Sequence, residues 1–369
     1  LQCNVANLDL NKIKDFLNKD ISSVKIDSRI MSLFLKQLSL LIGTGLPLDK
    51  SLKIIEDQKL DKKLSQALHK INLDLAKGMA VDQAFIRHQK YFNPMLVAFI
   101  KSGSKSGRMA EVLDELSTYI NEESKNKKTI QQALTYPIII VIVMIIINII
   151  VINFVLPTFV GIFDSYGKEL PLITQILLKT AEFFTNYGVI LLLVVLLSII
   201  CFFILRKDKV VRLKLDKFKY LHFPFLKYRR LSLEYQFTSL LYILKAGDID
   251  IVTSLEIIKE SFKNTYIKKV FGQISYDLEK GYRLSDSLAS KGIFSPLLIS
   301  MVKIGEDAGE MTQALKKSRD YFATDYIYKL KHIASMAEPL MIIIMSVVVG
   351  FVVFAIALPI FESVNGVGF

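Results

Sequence analysis

The sequence has no tryptophan, two cysteines and four histidines among its 369 residues, and each scarcity excludes something. Cys3 lies in a polar tail and Cys201 inside an apolar run, so the pair offers neither a disulfide framework nor a metal-ligand spacing. His69, His88, His222 and His332 are not spaced as ligands with one another, with cysteine or with carboxylates, so no metal site is expected. No nucleophile–base constellation is recognisable, which argues against an enzyme and against a bound cofactor. A phosphate-binding G-x-x-x-x-G-K-[ST] loop is also missing. The stretch from Gly45 to Lys50 and Ser51 approaches one, but it lacks the second glycine and follows a helical stripe, not a strand. Strand signals are scarce throughout. Without tryptophan, any membrane-interface belt must rest on tyrosine and phenylalanine.

Charge is missing from three long runs. They cover Ile138 to Leu156, about Phe183 to Leu205, and Leu340 to Leu358, in a chain that is 52% hydrophobic overall. At about 1.5 Å per helical residue, about twenty residues suffice to cross a hydrocarbon core of roughly 30 Å. Buried helices of a soluble core are the alternative reading, but three uncharged runs of this length are unusual there. The runs carry no Asp, Glu, Lys or Arg to couple ion movement, which counts against a transporter. Asn148 and Asn153 are the strongly polar members of the first run; an amide in hydrocarbon needs a partner, so both are expected where spans pack together.

The formal charge of +12 is explained by position. Lys125, Lys127 and Lys128 precede the first run, and Arg206, Lys207, Lys209, Arg212, Lys214, Lys217 and Lys219 follow the second. The segment 158–182 is near neutral, with Asp164, Lys168, Glu169, Lys179 and Glu182. Basic flanks stay in the cytoplasm. The N-terminus is therefore expected inside, 158–182 outside, 206–337 inside and the C-terminus outside, with no need for bound nucleic acid. Within 206–221, Val211, Leu215 and Phe218 recur at helical spacing between lysines. A helix lying on anionic lipid and a solvated linker helix both fit that pattern. Residues 1–28 are polar and show no signal-peptide pattern; the chain opens on Leu1 rather than Met, so its start is expected upstream.

The chain also repeats itself, at an offset of about 202 residues. Gly103, Gly107, Met109, Leu113 and Tyr119 fall onto Gly305, Gly309, Met311, Leu315 and Tyr321. Tyr136-Pro137 and Leu156-Pro157 have counterparts in Glu338-Pro339 and Leu358-Pro359. Gly45 falls onto Gly247, and Ser51 and Gly78 onto Ser254 and Gly281 with a one-residue slip. Each copy reads as short helices: Phe34, Leu38, Leu41 and Ile42 form a stripe, Gly45 ends it, and Pro47 opens the next helix. Gly103 and Gly107, like Gly305 and Gly309, read as glycine turns, with Ser104 or Glu306 near the N-terminus of the helix that follows.

These features predict an all-α membrane protein with two homologous cytoplasmic helical-bundle domains and three transmembrane helices. The expected order is an N-terminal tail (1–27), a first cytoplasmic domain (28–135), a transmembrane helix (136–157), an outer loop (158–182), a second transmembrane helix (183–205), a basic cytoplasmic linker (206–235), a second cytoplasmic domain (236–338), a third transmembrane helix (339–359) and an outer tail (360–369). The middle span has no counterpart in the repeat; it returns the chain to the cytoplasm.

The pattern resembles the type II secretion system F family. The segment from Phe34 to Leu48, with Gly45 and Pro47, is similar to that family's opening signature. Its G-E-x-x-G turn stands at Gly305, Glu306 and Gly309, while the first copy carries Ser104 in place of the glutamate. Its Tyr-Pro before the first span matches Tyr136-Pro137, its Leu-Pro-x-Phe ends match Pro157 and Pro359, and Leu170-Pro171 with Thr174 resembles its outer loop. The resemblance implies a bacterial inner-membrane scaffold, not an enzyme. The partners it implies are a cytoplasmic hexameric secretion or assembly ATPase, pilins or pseudopilins, other inner-membrane assembly proteins, membrane lipid and further copies of itself. A permease or channel subunit is the competing reading.

Overall fold

A computed structural model describes residues 26–365 apart from 93–95, 101–106, 156, 159, 162–171, 206–207 and 223–225. Among the described residues the secondary structure is helical, with no strand. The chain divides into two compact units: one holds residues up to Ser124 together with Arg229–Ala323, the other Lys125–Tyr228 together with Thr324–Phe369. Most of the polar helical part of each repeat therefore belongs to one unit and the apolar runs to the other.

The first repeat begins with α1 (Ser28–Gly43), α2 (Leu48–Asp57), α3 (Lys62–Ala76) and α4 (Val81–Arg87). Local chemistry sets these boundaries. The Asp27 carboxylate accepts from the Arg29 amide at 2.8 Å, and Asp61 caps α3 through Lys63 and Leu64 at 2.9 Å each. Gly45, just past α1, is left-handed at φ 85°, and Pro47 stands at the N-cap of α2. The apolar stripes then meet: Phe34, Leu38, Leu52, Ile55, Leu64, Leu68, Ile71 and Phe85 are buried. Phe92 closes this core, its ring 6.4 Å from Phe34 and 5.2 Å from Phe85.

Helix α5 (Met109–Ile150) follows, continued by a π-turn at Val151–Val155, then α6 (Leu172–Leu205) and α7 (Lys209–His222). The second repeat supplies α8 (Leu226–Ala246), α9 (Ile251–Ser261), α10 (Thr265–Glu279), α11 (Leu284–Lys291), α12 (Pro296–Asp307), α13 (Met311–Ser335) and α14 (Ala337–Asn365). Its core copies the first: Phe237, Leu241, Leu255, Ile258, Ile267, Phe271, Ile274 and Leu288 are buried, and Phe294 stands where Phe92 stands, 5.8 Å from Phe237.

The repeat register needs one correction. Gly247 is not the counterpart of Gly45. The left-handed residue after α8 is Asp248, at φ 60°, and the closing bonds match one residue later: Gly45 N–H to Ile42 and Leu46 N–H to Leu41 in one copy, Asp248 N–H to Lys245 and Ile249 N–H to Leu244 in the other. The slip thus begins before this turn. Asp250 then falls where Pro47 falls, and its carboxylate caps α9 through the Thr253 amide at 2.8 Å.

Two stretches, Met109–Val155 and Met311–Leu358, contain helix long and apolar enough to cross a membrane. Their prolines behave differently. Pro137 lies inside continuous α5, whereas Pro339 lies in the first turn of α14, after a break at Met336. First-turn amides have no helical acceptor, so a proline there removes nothing. The third apolar run ends before Pro359, but the helix does not: α14 continues through it to Asn365. The chain beyond can stay helical because a proline deletes a single bond to the carbonyl four residues earlier.

Candidate functional site

Among the described residues no group of His, Cys, Asp and Glu could hold a metal ion. The side chains with most to explain lie in three places: the glycine turn of the second repeat, the junction between the repeats, and the contact between two apolar helices.

The turn at Gly305–Gly309 is built by close packing and one carboxylate. A Cβ on Gly305 would stand 2.6 Å from the Ala314 Cβ and 3.3 Å from the Met311 Cα, so only glycine lets α12 approach α13 this closely. Glu306 does not face the helix that follows the turn. Its Oε1 accepts from the Leu284 amide at 2.7 Å and its Oε2 from the Ser285 amide at 3.2 Å, at the start of α11, earlier in the chain. The N-cap residue of α11 is Arg283, which offers no side-chain cap of its own. Glu306 therefore satisfies two orphan donors from outside and places its charge at the positive end of α11. Arg283 in turn bonds Asp307 and lies 3.8 Å from Glu306. Gly309 closes the turn at φ 70°, as Gly107 does in the first copy at φ 71°. Gly103 and Ser104 lie outside the described residues; in α4, the counterpart of α11, the N-cap residue Ala80 offers no side-chain cap of its own.

The two repeats meet through α5, α8 and α13. Glu115 accepts from the Tyr242 hydroxyl at 3.2 Å and from Arg319 Nη1 at 2.5 Å, and the Arg319 guanidinium lies 4.5 Å from the centre of the Tyr242 ring. Burial raises the Tyr242 hydroxyl pKa, and the Glu115 charge adds to that. Two turns further, Glu122 accepts from the Tyr235 hydroxyl at 3.0 Å, and the Tyr119 and Tyr235 rings lie 6.1 Å apart. Gly247 completes the contact: a Cβ there would stand 2.9 Å from Val112 Cγ2. None of the residues Glu115, Tyr235, Tyr242 and Arg319 stands out in the sequence, because the pairs that matter are separated by more than a hundred residues.

The junction is not reciprocal. Ser32 and Ser39, at the positions of Tyr235 and Tyr242, stay within their own copy: Ser32 Oγ donates to Ser117 O at 3.0 Å and Ser39 Oγ to Ala110 O at 2.7 Å. Leu40 is 60% exposed, while its counterpart Ile243 is fully buried.

In the second unit, α6 and α14 pack together around Leu177 and Ala355. The Thr174 hydroxyl, itself fully buried, donates to Ala355 O at 2.7 Å. Ala355 is the residue four before Pro359, so its carbonyl is the one that proline leaves without a helical donor. Thr174 supplies the missing bond. Asn148 and Asn153 do not need another span for a donor bond: their amides donate within α5 and its π-turn, to Met144 O at 2.9 Å and Ile149 O at 2.8 Å. The π-turn ends at Val155, two residues before Pro157, whose missing N–H would in α-helical register have met the Asn153 carbonyl. Tyr136, Pro157 and Glu338 are exposed, and Pro171 lies outside the described residues.

A family model described as "Type II secretion system (T2SS), protein F" matches residues 34–157 and again 237–359, the two repeats. The chain belongs to the type II secretion system protein F family. It is similar to "Type IV pilus assembly protein PilC" of Thermus thermophilus, 28% identical over 340 residues that cover 91% of this chain and 82% of that protein. It is similar to "Type II secretion system protein F" of Pseudomonas aeruginosa, 26% identical over 345 residues covering 93% and 85%. It is also similar to "Protein transport protein HofC homolog" of Escherichia coli, 28% identical over 338 residues covering 90% and 84%. The family member's two matched segments each end at a Leu-Pro, at Pro157 and Pro359, so the duplication includes the apolar helices.

Proposed function

We propose that this family member is a platform protein of the bacterial cytoplasmic membrane that couples an assembly ATPase to the polymerisation of pilins or pseudopilins. The observation that carries the reading is the repeated family segment, each copy of which runs from a polar helical bundle into an apolar helix. In this reading α6 is a third span. Its run from Phe183 to Leu205 is uncharged, and it returns the chain so that both repeats share the cytoplasm. The domain order proposed from the sequence then holds, with the N-terminus inside and the C-terminus outside. The protein assembles with further copies of itself and with other inner-membrane components. No catalytic step is assigned to it. Its part is to present two related but unequal surfaces to a motor and to hold spans where subunits leave the bilayer.

The test is affinity capture of the full-length, detergent-solubilised protein from cells that carry the machine. A hexameric ATPase and pilin-like subunits should be retained, and deleting the gene should abolish pili or secretion. Retention of neither, with secretion and pili intact in the deletion, sinks the proposal. For topology, a cysteine at Tyr282 should be shielded from a membrane-impermeant maleimide in whole cells, while one at Phe361 should react.

A further inference from the structure

Helix α7 carries an outward face that neither the family match nor the repeat accounts for. Residues 206–235 fall outside both matched segments, which end at 157 and resume at 237. The inward face is set by Asp216 and Tyr220, one turn apart and 5% and 6% exposed. The opposite face follows from helical geometry: Val210, Lys214, Lys217 and Phe218 recur at i, i+4, i+7 and i+8. Val210 is 61% exposed and Phe218 64%, and both lysines are exposed between them. Val211 and Leu215, which the sequence pattern groups with Phe218, are only half-buried and lie to the side of this face. Arg212 and Lys219 are exposed on the flank, so the cations surround the apolar pair and Asp216, the helix's one acid, is turned away.

We infer that this face is a binding surface for anionic lipid, with α7 lying in the plane of the membrane interface and Val210 and Phe218 inserted. The inference rests on the proposed membrane reading, in which α6 is a span. Its apolar run ends at Leu205, and four peptide steps lead to Lys209. Each step extends the chain by at most about 3.6 Å, so α7 begins within about 14 Å of the edge of the hydrocarbon. That upper bound is about twice the depth of a headgroup layer and about twice the screening length of about 8 Å in physiological salt, so any link short of full extension brings α7 toward the charged surface. A helix tied there with lysines outward meets the negative potential of the cytoplasmic leaflet. The exposed surface of Phe218 then lies at the depth such helices reach, about 5–10 Å into the headgroup boundary. A solvated linker helix would explain the lysines but would leave most of the Val210 and Phe218 surface in water.

The natural chain has no tryptophan, so Phe218→Trp installs a lone fluorophore on this face. The full-length variant is reconstituted in vesicles of phosphatidylcholine with phosphatidylglycerol, and separately in phosphatidylcholine alone. Phe354→Trp, on the exposed apolar surface of α14, serves as the bilayer control. The expected result is a blue-shifted Phe218→Trp emission in the anionic vesicles, quenched by lipids brominated on the upper acyl chain and shielded from iodide. The shift should weaken in neutral vesicles and in the Lys214→Glu/Lys217→Glu background. Emission that stays red and iodide-accessible overturns the inference in favour of a solvated helix. Shielding from both quenchers overturns it in favour of a protein-covered face. Failure of bromolipid to quench Phe354→Trp would instead defeat the membrane reading itself, so the two failures are distinguishable.

Discussion

Replacing Glu306 by alanine should loosen α11 selectively. The carboxylate accepts from two backbone amides at 2.7 and 3.2 Å, and its side chain is only 14% exposed. Loss of an ordinary N-cap costs about 1 kcal/mol. Here the acceptor is charged, the donors belong to Leu284 and Ser285, which are themselves buried, and bonds to charged groups contribute about 1.5–3 kcal/mol. We expect a loss of about 2–3 kcal/mol for Glu306→Ala. Glu306→Gln keeps one acceptor oxygen and should lose about 1 kcal/mol. Because about 1.4 kcal/mol is a factor of ten, alanine should raise local opening of α11 by roughly 30- to 150-fold. Hydrogen exchange of the full-length protein, read on peptides covering 282–291, measures this directly. The wild type contains its own comparison in the sequence, since Ser104 stands where Glu306 stands and carries no charge, so the start of α4 should exchange faster than that of α11. Unchanged exchange in 282–291 for Glu306→Ala refutes the capping argument. Equal effects of glutamine and alanine would show that the charge, not the acceptor geometry, carries the stabilisation.

Four further outcomes follow from the same structure. Gly305→Ala should destabilise by about 1–3 kcal/mol through overpacking, with partial recovery on adding Ala314→Gly, as read by thermal unfolding in detergent. A double-mutant cycle on Glu115→Gln and Arg319→Gln should give a coupling of about 1 kcal/mol, since the pair is mostly shielded but not buried; additivity within error would mean the ion pair contributes nothing. Lys291 and then Ser287 hold the Asp277 carboxyl below the usual range, so its contribution is present above the unfolded value near 3.9 and is lost as pH falls through the lower folded value. The corner between α10 and α11 should therefore loosen in acid below about pH 4, and Asp277→Asn should remove that dependence in a proteolysis-versus-pH series. Thr174→Val should weaken the α6–α14 contact by about 0.5–1 kcal/mol, measured as reduced cysteine crosslinking between the two helices in vesicles.

Much of the fold was legible because helix boundaries are written locally. Gly45 and Pro47 mark a turn in a linear string, and Phe34 and Leu38 mark a buried face at helical spacing. The duplication was legible for the same reason, although the slip could not be placed without the backbone. Asp248 adopts the left-handed turn that Gly45 adopts, and an aspartate tolerates it well enough to hide the match. The prolines were misleading. A proline looks like a stop, yet the helix resumes when only one carbonyl loses its donor, and whether that carbonyl finds another partner depends on a residue far away. Thr174 for Ala355 is such a case. Glu306 misled in a related way. Its position beside a turn suggested the next helix, but its side chain reaches back across 22 residues to cap an earlier one. The junction was illegible altogether, since Glu115 and Arg319 are separated by 204 residues and are ordinary surface types in the string.

The junction also bears on why the two copies have diverged. If two equal copies met about a two-fold axis, every contact would occur twice, once in each direction. Here α5 of the first copy docks on α8 of the second through Val112, Glu115, Tyr119 and Glu122. The reciprocal contact would set α13 on α1, and it is not made: Leu40 on α1 is 60% exposed and Tyr321 on α13 is 48% exposed. The sequence differences track that asymmetry. Tyr235 and Tyr242 are long enough to reach the partner copy, whereas Ser32 and Ser39 are small and bond back to their own α5. Glu115, which binds Arg319, has Lys317 at its equivalent position, and that lysine is exposed. The helices of each half of the contact therefore occur in both copies but meet in only one direction, so the first copy keeps on α1 an unused docked face and the second keeps on α13 an unused docking one. A pair of surfaces that differ in this way cannot present the same contacts to a partner, whatever the common origin of the two bundles.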